Sequence, residues 1–304
     1  MNPDSTQKPD RLPPRDLPRR RSGRHRNPLS FDSWVGTPTL VLAIPGTADP
    51  GGYGQQVVDL VRAYRPEVAI RFGYTEGDEH PLTEALAGLE TGEGRGIRAV
   101  VVPLVSASHP ATLHAINTTV SATGVSARVT EGLGPHPMLA EVLHLRLAEG
   151  GFVRADRMRL ISVVAATGSM ADGVVVGSVG GADAVSSAGV TAVLLAARLG
   201  ITVLPVDLED QAHLDEVFGQ MRSAGSVRTV LAPSIIGTEY PMSAVEDVAR
   251  RYGARVCAPL GAHSTLAKIA ALRYAEVLNA LGIEQPPTLD ELPAPVGSRH
   301  RPES

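Results

Sequence analysis

The chain contains one sequence segment twice. Residues 133–147 read LGPHPMLAEVLHLRL and residues 260–274 read LGAHSTLAKIAALRY, so Leu, Gly, His, Leu, Ala, Leu and Arg recur in register, 127 residues apart. A unit of this size that occurs twice predicts two similar lobes. Clefts between domains are favoured ligand sites, so we expect a site where the lobes meet.

Two shorter matches extend the repeat. VVVPL at 100–104 corresponds to VLAPS at 230–234, and we match PGTAD at 45–49 with TGSMAD at 167–172. The offset between the copies changes by a few residues, as loop insertions would cause. The repeat therefore predicts that most of the chain is built from two copies of one domain.

The predicted boundaries follow from composition. We expect an amino-terminal lobe over residues 38–152 and a carboxyl-terminal lobe over 156–284. Segments 1–37 and 285–304 are rich in Pro and lack hydrophobic periodicity, which is typical of disordered tails. Residues 1–30 carry eight Lys or Arg and three Asp, so the first tail is basic and either binds nucleic acid or an acidic partner or is simply solvated.

Composition excludes several classes of protein. Aromatic residues make up only 4% of the chain, which leaves little surface for stacking bases, so nucleic acid is an unlikely partner. The single cysteine, Cys257, excludes an internal disulfide, and its apolar neighbours predict a buried core position. No apolar stretch reaches the ~18–20 residues that cross a bilayer, so we expect a cytoplasmic protein with no membrane partner.

Apolar runs alternate with helical periods along both halves. TLVLAIPG, VAIRFGYT, AVVVPLV and ARVTEGLG read as strands of the first lobe, and MRLISVVAAT, ITVLPVD, VRTVLAPSII and ARVCAPLG as strands of the second. This order predicts an α/β fold of two doubly wound parallel sheets. Ligands of such sheets lie beyond the carboxyl ends of the strands. There we place the loops PGTADPGGYG, VSASHP, EGLGPHP, ATGSMAD, SIIGTEYP and PLGAHS.

The first of these loops contains Gly46, Thr47 and Asp49. Its glycines allow close approach of the backbone, and the following helix offers N–H groups to an anion. The loop is neither a Gly-Lys-Ser/Thr phosphate loop nor a G-x-G-x-x-G element. It is either a plain tight turn or part of a site for a ligand other than a nucleotide.

Histidines and carboxylates supply the remaining candidates. His109 and His114 lie in SASHPATLHAIN after the third strand, and either they bind a divalent metal or they are surface or capping residues. Glu76, in the acidic loop YTEGDEHP, either guides a cation or is solvated. His136 and His263 are the repeated Gly-x-His pair, which either bonds to its own turn or contacts a ligand.

Taken together, G-T-x-D-P after a strand, V-V-V-P-L before a His-containing loop, and L-G-P-H-P-x-L-A-E-x-L resemble the sirohydrochlorin chelatases. The resemblance is to their two-lobed form and covers roughly residues 39–280. It implies insertion of Co²⁺ or Fe²⁺ into a polycarboxylate tetrapyrrole as part of sirohaem or cobalamin biosynthesis. It also implies no organic cofactor, histidines that bind the metal and accept the pyrrole protons, and carboxylate seats near Gly46 and Gly134.

The sequence departs from the family pattern at the histidines. Pro45 stands where the first family histidine precedes the Gly of the opening loop, and Ala111 stands at the counted position of the second. We therefore assign catalysis and metal binding to His109 and His114, with Glu76 as a further metal ligand. Gly46, Thr47, Asp49, Gly134 and His136 are the expected substrate-binding residues. The alternative is a catalytically impaired relative that binds a tetrapyrrole, a metal or a protein partner.

Overall fold

A computed structural model describes residues 37–49, 51–89, 96–154 and 170–283. The first lobe alternates four strands with four helices. Its elements are β1 (Thr39–Ile44), α1 (Tyr53–Tyr64), β2 (Ile70–Tyr74), α2 (Leu82–Leu86), β3 (Ala99–Pro103), α3 (Pro110–Ala122), β4 (Ala127–Val129) and α4 (Pro137–Glu149).

The second lobe repeats this order. Its elements are β5 (Gly173–Ser178), α5 (Ala182–Leu199), β6 (Thr202–Asp207), α6 (Gln211–Ser223), β7 (Thr229–Pro233), α7 (Met242–Tyr252), β8 (Arg255–Val256) and α8 (Ser264–Ala280). Each lobe therefore contributes one strand–helix series of the same length and order.

Both sheets are parallel and have the same topology. The strand order is β2-β1-β3-β4 in the first sheet and β6-β5-β7-β8 in the second. β1 pairs with β3 from Thr39↔Ala99 onward, and β5 pairs with β7 from Gly173↔Thr229 onward. The predicted class, two similar doubly wound parallel-sheet lobes, is confirmed.

The two lobes share one hydrophobic core. This main core combines residues of the first lobe such as Leu40 and Val57 with residues of the second such as Leu266 and Tyr274. α1 packs against α8 and α4 packs against α5, so two helices of each lobe form the seam. Two smaller clusters cover the outer faces of the sheets. Cys257 is buried, as its apolar neighbours predict.

The opening strand of the second lobe is not the predicted one. MRLISVVAAT (158–167) lies outside the described residues, and the strand that takes the place of β1 is β5. The predicted match of PGTAD with TGSMAD is therefore wrong, because residues 170–172 precede β5. Asp172 accepts hydrogen bonds from Ser226 Oγ (2.7 Å) and Arg228 N (2.8 Å), which are bonds at the amino end of the sheet. The loop equivalent to PGTAD is Val179–Gly181.

The helix α5 also corrects an expectation. It has 18 residues and a mean hydropathy of 1.3, so by length and composition alone it could cross a membrane. Its small and polar residues, including Ser187 and Thr191, hide this property from a search for an unbroken apolar run. One face, with Ala184, Ala188 and Leu195, is buried, and the helix packs against β5 and β6 of the second sheet. Of the predicted tails, 1–37 and 285–304, every residue except Thr37 lies outside the described residues.

Candidate functional site

Four strand–helix loops meet in crossed pairs where the lobes face each other. A Cβ placed on Gly46, after β1, would lie 3.6 Å from the carbonyl oxygen of Thr238, after β7. A Cβ placed on Gly180, after β5, would lie 3.0 Å from the ring of His109, after β3. The opening loop of each lobe therefore lies against the third-strand loop of the other, as a pseudo-twofold arrangement requires.

The two third-strand loops are also bonded directly to each other. Ser106 N donates to Glu239 Oε1 (3.1 Å), and Ser106 Oγ donates to the carbonyl oxygen of Ser234 (2.5 Å). Glu239 Oε2 accepts from the backbone N–H groups of Ile236 (2.8 Å) and Gly237 (3.1 Å). Burial raises the pKa of Glu239, although these donors act in the opposite direction. This carboxylate thus organises the centre of the seam.

Tyr53, at the start of α1, packs across the seam on two glycines. A Cβ on Gly237 would lie 2.5 Å from the ring of Tyr53, and one on Gly261 would lie 3.2 Å from it. Both glycines also have positive φ, +109° and +59°. The aromatic ring therefore fits because the opposite loops present bare backbone.

The repeated arginines bridge the lobes reciprocally. Arg146 on α4 donates through Nε and Nη2 to the carbonyl oxygen of Leu260 (3.2 and 2.8 Å). Arg273 on α8 donates through Nε to the carbonyl oxygen of Gly132 (3.0 Å). Each arginine thus binds the turn that precedes the closing helix of the other lobe. This exchange explains why the arginine occurs in both copies of the repeat.

The repeated histidines cap the closing helices. His136 Nδ1 accepts from Met138 N (3.2 Å) at the start of α4, and His263 Nδ1 accepts from Thr265 N (3.2 Å) at the start of α8. Burial, followed by the cross-lobe Arg273, lowers the pKa of His136. Burial, followed by the cross-lobe Arg146, lowers the pKa of His263. Both rings are thereby held neutral, with the proton on Nε2.

His109 has the same capping geometry. Its Nδ1 lies 3.3 Å from Thr112 N, which donates to it at the start of α3, and 3.0 Å from Thr112 Oγ1. Because Nδ1 accepts a backbone N–H, the neutral ring carries its proton on Nε2. In this state His109 offers a donor, not a lone pair, to a ligand. His109 can bind a metal or accept a proton only after this cap is broken.

The other predicted metal ligands, His114 and Glu76, are exposed and do not belong to a metal-binding group. His114 lies on α3 with an exposed side chain, and Glu76 is exposed in the loop after β2. The backbone N–H of Glu76 donates to the carbonyl oxygen of Gly46 (3.0 Å). Within the described ranges, no three His, Cys, Asp or Glu side chains are grouped so that they could hold a metal ion. His109, His114 and Glu76 are therefore not brought together as such a group.

The predicted carboxylate seats differ from one another. Gly46 has φ +80° and its N–H donates to Thr75 Oγ1 (3.0 Å), while Thr47 and Asp49 are exposed beside it. The first turn of α1 has no side-chain cap at Gly52, but the Asp49 carboxylate lies against this glycine, since an added Cβ would be 1.9 Å from Asp49 Oδ2. Gly134 is buried, and the helix after it is already capped by His136.

α5 is the counterpart of α1 in this respect. It begins after Gly180 and Gly181, and no side chain caps its first turn. Each lobe thus presents one uncapped helix N-terminus after its opening loop. This second seat was not predicted, because the opening loop was matched with the wrong segment. The roles of Glu239, Tyr53 and the reciprocal arginines were not predicted either, although the arginines stand in register within the repeat.

Comparison with known proteins finds a family match in the first lobe. Residues 39–150 match the CbiX family. No curated protein matches the sequence. The amino-terminal half of the chain therefore carries the family signal, and the second half is related to known proteins through its fold.

Solved structures share the two-lobed architecture. SirB from Bacillus subtilis with Fe³⁺ aligns with a TM-score of 0.59 and 16% identity, over 81% of this chain and 98% of that chain. The sirohydrochlorin chelatase SirB from Bacillus subtilis subspecies spizizenii, in complex with cobalt, gives 0.55 and 15%, over 80% and 96%. CbiX, the terminal enzyme for biosynthesis of siroheme in denitrifying bacteria, gives 0.54 and 13%, over 79% and 99%. At these identities the likeness establishes the fold.

Proposed function

Because the first lobe belongs to the CbiX family and the described chain has the chelatase fold, we propose that the protein inserts a divalent metal, cobalt or iron, into a tetrapyrrole such as sirohydrochlorin. The observation that carries this proposal is the family match over 39–150, the lobe that supplies both loops around Gly46 and His109. The metal ion is a substrate here, and the reaction needs no organic cofactor.

The macrocycle carboxylates bind the N-termini of α1 and α5, the helices that follow the opening loops. The first turns of α1 and α5 lack a side-chain cap. The loop before each of these helices contacts the third-strand loop of the other lobe. A backbone N–H cluster at a helix start favours a carboxylate. The Nε2–H of His109 is a third donor beside Gly180. Gly46, Thr47 and Asp49 border the α1 seat, whereas Gly134 and His136 shape the turn before α4.

His114 is the imidazole that remains for the metal and the pyrrole protons. Among the predicted histidines, His109 and His136 use Nδ1 as a cap, whereas the His114 side chain makes no hydrogen bond with another described residue. A metal ligand must offer a lone pair, and a base near neutral pH must be unprotonated. Exposed carboxylates such as Glu76 attract the incoming cation.

A second function is favoured by one observation. The cap on His109 withholds its lone pair, and the described residues form no metal-binding group of three. A protein of this kind can bind a tetrapyrrole without inserting metal. We therefore keep a non-catalytic tetrapyrrole-binding relative as the alternative.

The test follows metal insertion by absorption. Purified full-length protein is mixed with sirohydrochlorin and Co²⁺, or with Fe²⁺ under anaerobic conditions, and spectra are compared with a no-protein control. We expect a rate above the control. A spectrum that shows tetrapyrrole binding but insertion no faster than the control would support the alternative and end the chelatase proposal for that substrate.

Paired variants separate the histidine roles. We expect His114→Ala to lower the insertion rate by about 100-fold, the lower end for loss of a general base. His109→Asn keeps a helix cap, because Asn is a good N-cap residue, and should lower the rate much less. His263→Asn is the matched cap control in the other lobe. A larger loss in His109→Asn than in His114→Ala would reverse the assignment.

Two further expectations belong to this proposal. The reaction takes place in the cytoplasm, where the metal and the tetrapyrrole are soluble substrates. The basic segment 1–30 binds an acidic partner, since eight Lys or Arg face three Asp within it. Loss of partner binding on deletion of this segment, with insertion unchanged, is the expected result.

A further inference from the structure

Arg128 and Arg255 are equivalent residues in very different surroundings. Each is the Arg of an Ala-Arg-Val segment, and each lies on an edge strand, β4 or β8. The Arg255 guanidinium lies over the ring of Phe152, 4.7 Å from the ring centre. The same ring lies against Gly150, since a Cβ there would be 2.5 Å from it. The chain itself thus fills the site beside Arg255 with an aromatic ring.

Among the described residues, none fills the site beside Arg128. α4 ends at Glu149, so the chain turns back and inserts Phe152, whereas α8 continues to Ala280. By the repeat, Val277 takes the place of Gly150. Two adjoining cavities of about 210 and 340 Å³ remain here, and both are lined by Arg128, Glu276 and Val277. We call them together the β4–α8 groove.

The walls of the β4–α8 groove suit an apolar planar group. The larger cavity is lined mainly by apolar side chains, Ile97, Val277, Ala280 and Leu281. At the other end of the groove, Arg273 donates hydrogen bonds to the carbonyl oxygen of Gly132 and to the carboxylate of Glu276. The Arg128 guanidinium has no hydrogen bond or ion pair with another described residue. It is therefore available to stack on a ring, as Arg255 does.

We propose that the β4–α8 groove binds a small molecule with a planar aromatic ring, which stacks on Arg128 as Phe152 stacks on Arg255. The combined space falls in the size range of small-molecule sites. None of Gly46, His109, His114 or Glu76 lines the groove. Binding there is thus a property separate from metal insertion, and either can be present without the other.

Indole is the probe for the test. Full-length protein with ¹³C-labelled Ile, Leu and Val methyl groups is titrated with indole, and methyl shifts are followed by NMR. We expect saturable shifts at Ile97, Val277 and Leu281. Benzyl alcohol and its saturated analogue cyclohexylmethanol, both uncharged, form a matched pair in the same titration, and cyclohexylmethanol should bind more weakly because it has no π face. Equal affinity for the two compounds, or no saturable shift at these methyl groups, overturns the proposal.

Two groove variants give the expected directions. Arg128→Ala should weaken indole binding about two- to fivefold, the effect of a cation–π contact at an exposed site. Ala280→Trp, at an exposed helix position, should fill the groove and abolish the shifts. Unchanged affinity in both variants would place indole elsewhere and contradict the proposal.

The equivalent site provides a positive control within the same molecule. Phe152→Ala removes the ring beside Arg255, and a vacated apolar site can take up an aromatic molecule. We expect a second indole site in this variant and a larger rise of Tm with indole than in the wild type. A failure of the second site to bind indole would show that an Arg beside such a cavity does not suffice, and would count against the groove.

A last variant tests whether an aromatic ring of the chain itself occupies the β4–α8 groove. The chain has one tryptophan, Trp34, and Trp34→Ala should bind indole with the same affinity as the wild type. If only the Trp34→Ala protein binds indole, the ring that fills the groove belongs to the chain, and the small-molecule proposal is wrong.

Discussion

Gly134 and Gly261 are equivalent residues of the two repeat copies, yet they are glycine for different physical reasons. Gly134 is closely approached, because a Cβ there would lie 2.0 Å from the carbonyl oxygen of Ser106. Gly261 has φ +59°, and its nearest side-chain neighbour is the ring of Tyr53 at 3.2 Å. In the first lobe the glycine is needed because a side chain has no room, whereas in the second it is needed chiefly because its φ is positive. Identical residues in a repeat need not have identical roles.

The largest expected effect is a loss of stability that tests this difference between the two glycines. Gly134→Ala should lower the free energy of unfolding by about 3 kcal/mol, because backbone must move to accept the methyl group. Gly261→Ala should cost only about 1–2 kcal/mol, from a positive φ and a side-chain neighbour that can shift. Urea unfolding followed by circular dichroism measures both.

A third glycine is the control for that pair. Gly225 has φ +84° and no atom within 4 Å of an added Cβ, so Gly225→Ala reports the backbone cost alone. A larger loss in Gly261→Ala than in Gly134→Ala would reverse the reading of the two turns.

The next effect concerns the reciprocal arginines. Arg146→Met should cost about 2–3 kcal/mol and Arg273→Met about 1–2 kcal/mol, since Arg146 gives two hydrogen bonds to its carbonyl and Arg273 gives one. Both side chains are largely buried, with 17% and 14% exposed. Thermal and urea unfolding are the measurements.

An exposed arginine sets the baseline for these variants. Arg250 pairs with Asp247 on the surface, and Arg250→Met should change stability by less than about 0.5 kcal/mol. If Arg146→Met lowers stability as little as Arg250→Met does, the cross-lobe hydrogen bonds of Arg146 contribute little to stability.

The smallest expected effect concerns pH. The pKa of His136 and of His263 is lowered in the folded protein, so each contributes stability above its unfolded pKa of about 6.5. This contribution is lost as the pH falls through the lower folded pKa, when Nδ1 takes a proton and the cap fails. Unfolding free energies measured from pH 7.5 to 5 should therefore fall, and less so in the double variant His136→Asn/His263→Asn.

NMR titration can measure separately how Arg273 affects the pKa of His136 and how Arg146 affects the pKa of His263. Arg273→Met should raise the pKa of His136 and leave that of His263 unchanged, while Arg146→Met should do the opposite. A shift of both histidines in either variant would mean that the lobes are coupled by more than these local charges.

The sequence predicted most of the fold because burial leaves a local pattern. Continuous apolar runs such as TLVLAI and AVVVP are typical of strands buried on both faces, and they form β1 and β3. β5 was missed because GVVVGS is bounded by glycines and is followed by a Gly-Gly turn, which resembles a loop. The more strand-like MRLISVVAAT nearby took its place in the prediction.

The site was less predictable because it depends on contacts between distant residues. The crossing of the Gly46 loop with Thr238, and of Gly180 with His109, follows from how the lobes pack, which no local pattern encodes. One local signal was present, since the His of a His-Pro pair before a helix can serve as an N-cap. That signal describes His109 and His136, and it limits what His109 can offer to a metal.

The hydrogen bonds at the seam have a mechanical consequence. Arg146, Arg273 and the Ser106–Glu239 bond join the lobes at three separate places. A clamshell motion that separates the lobes would have to break all of them. The four strand–helix loops at the seam are therefore expected to keep fixed distances from one another, since moving the lobes apart would break these bonds.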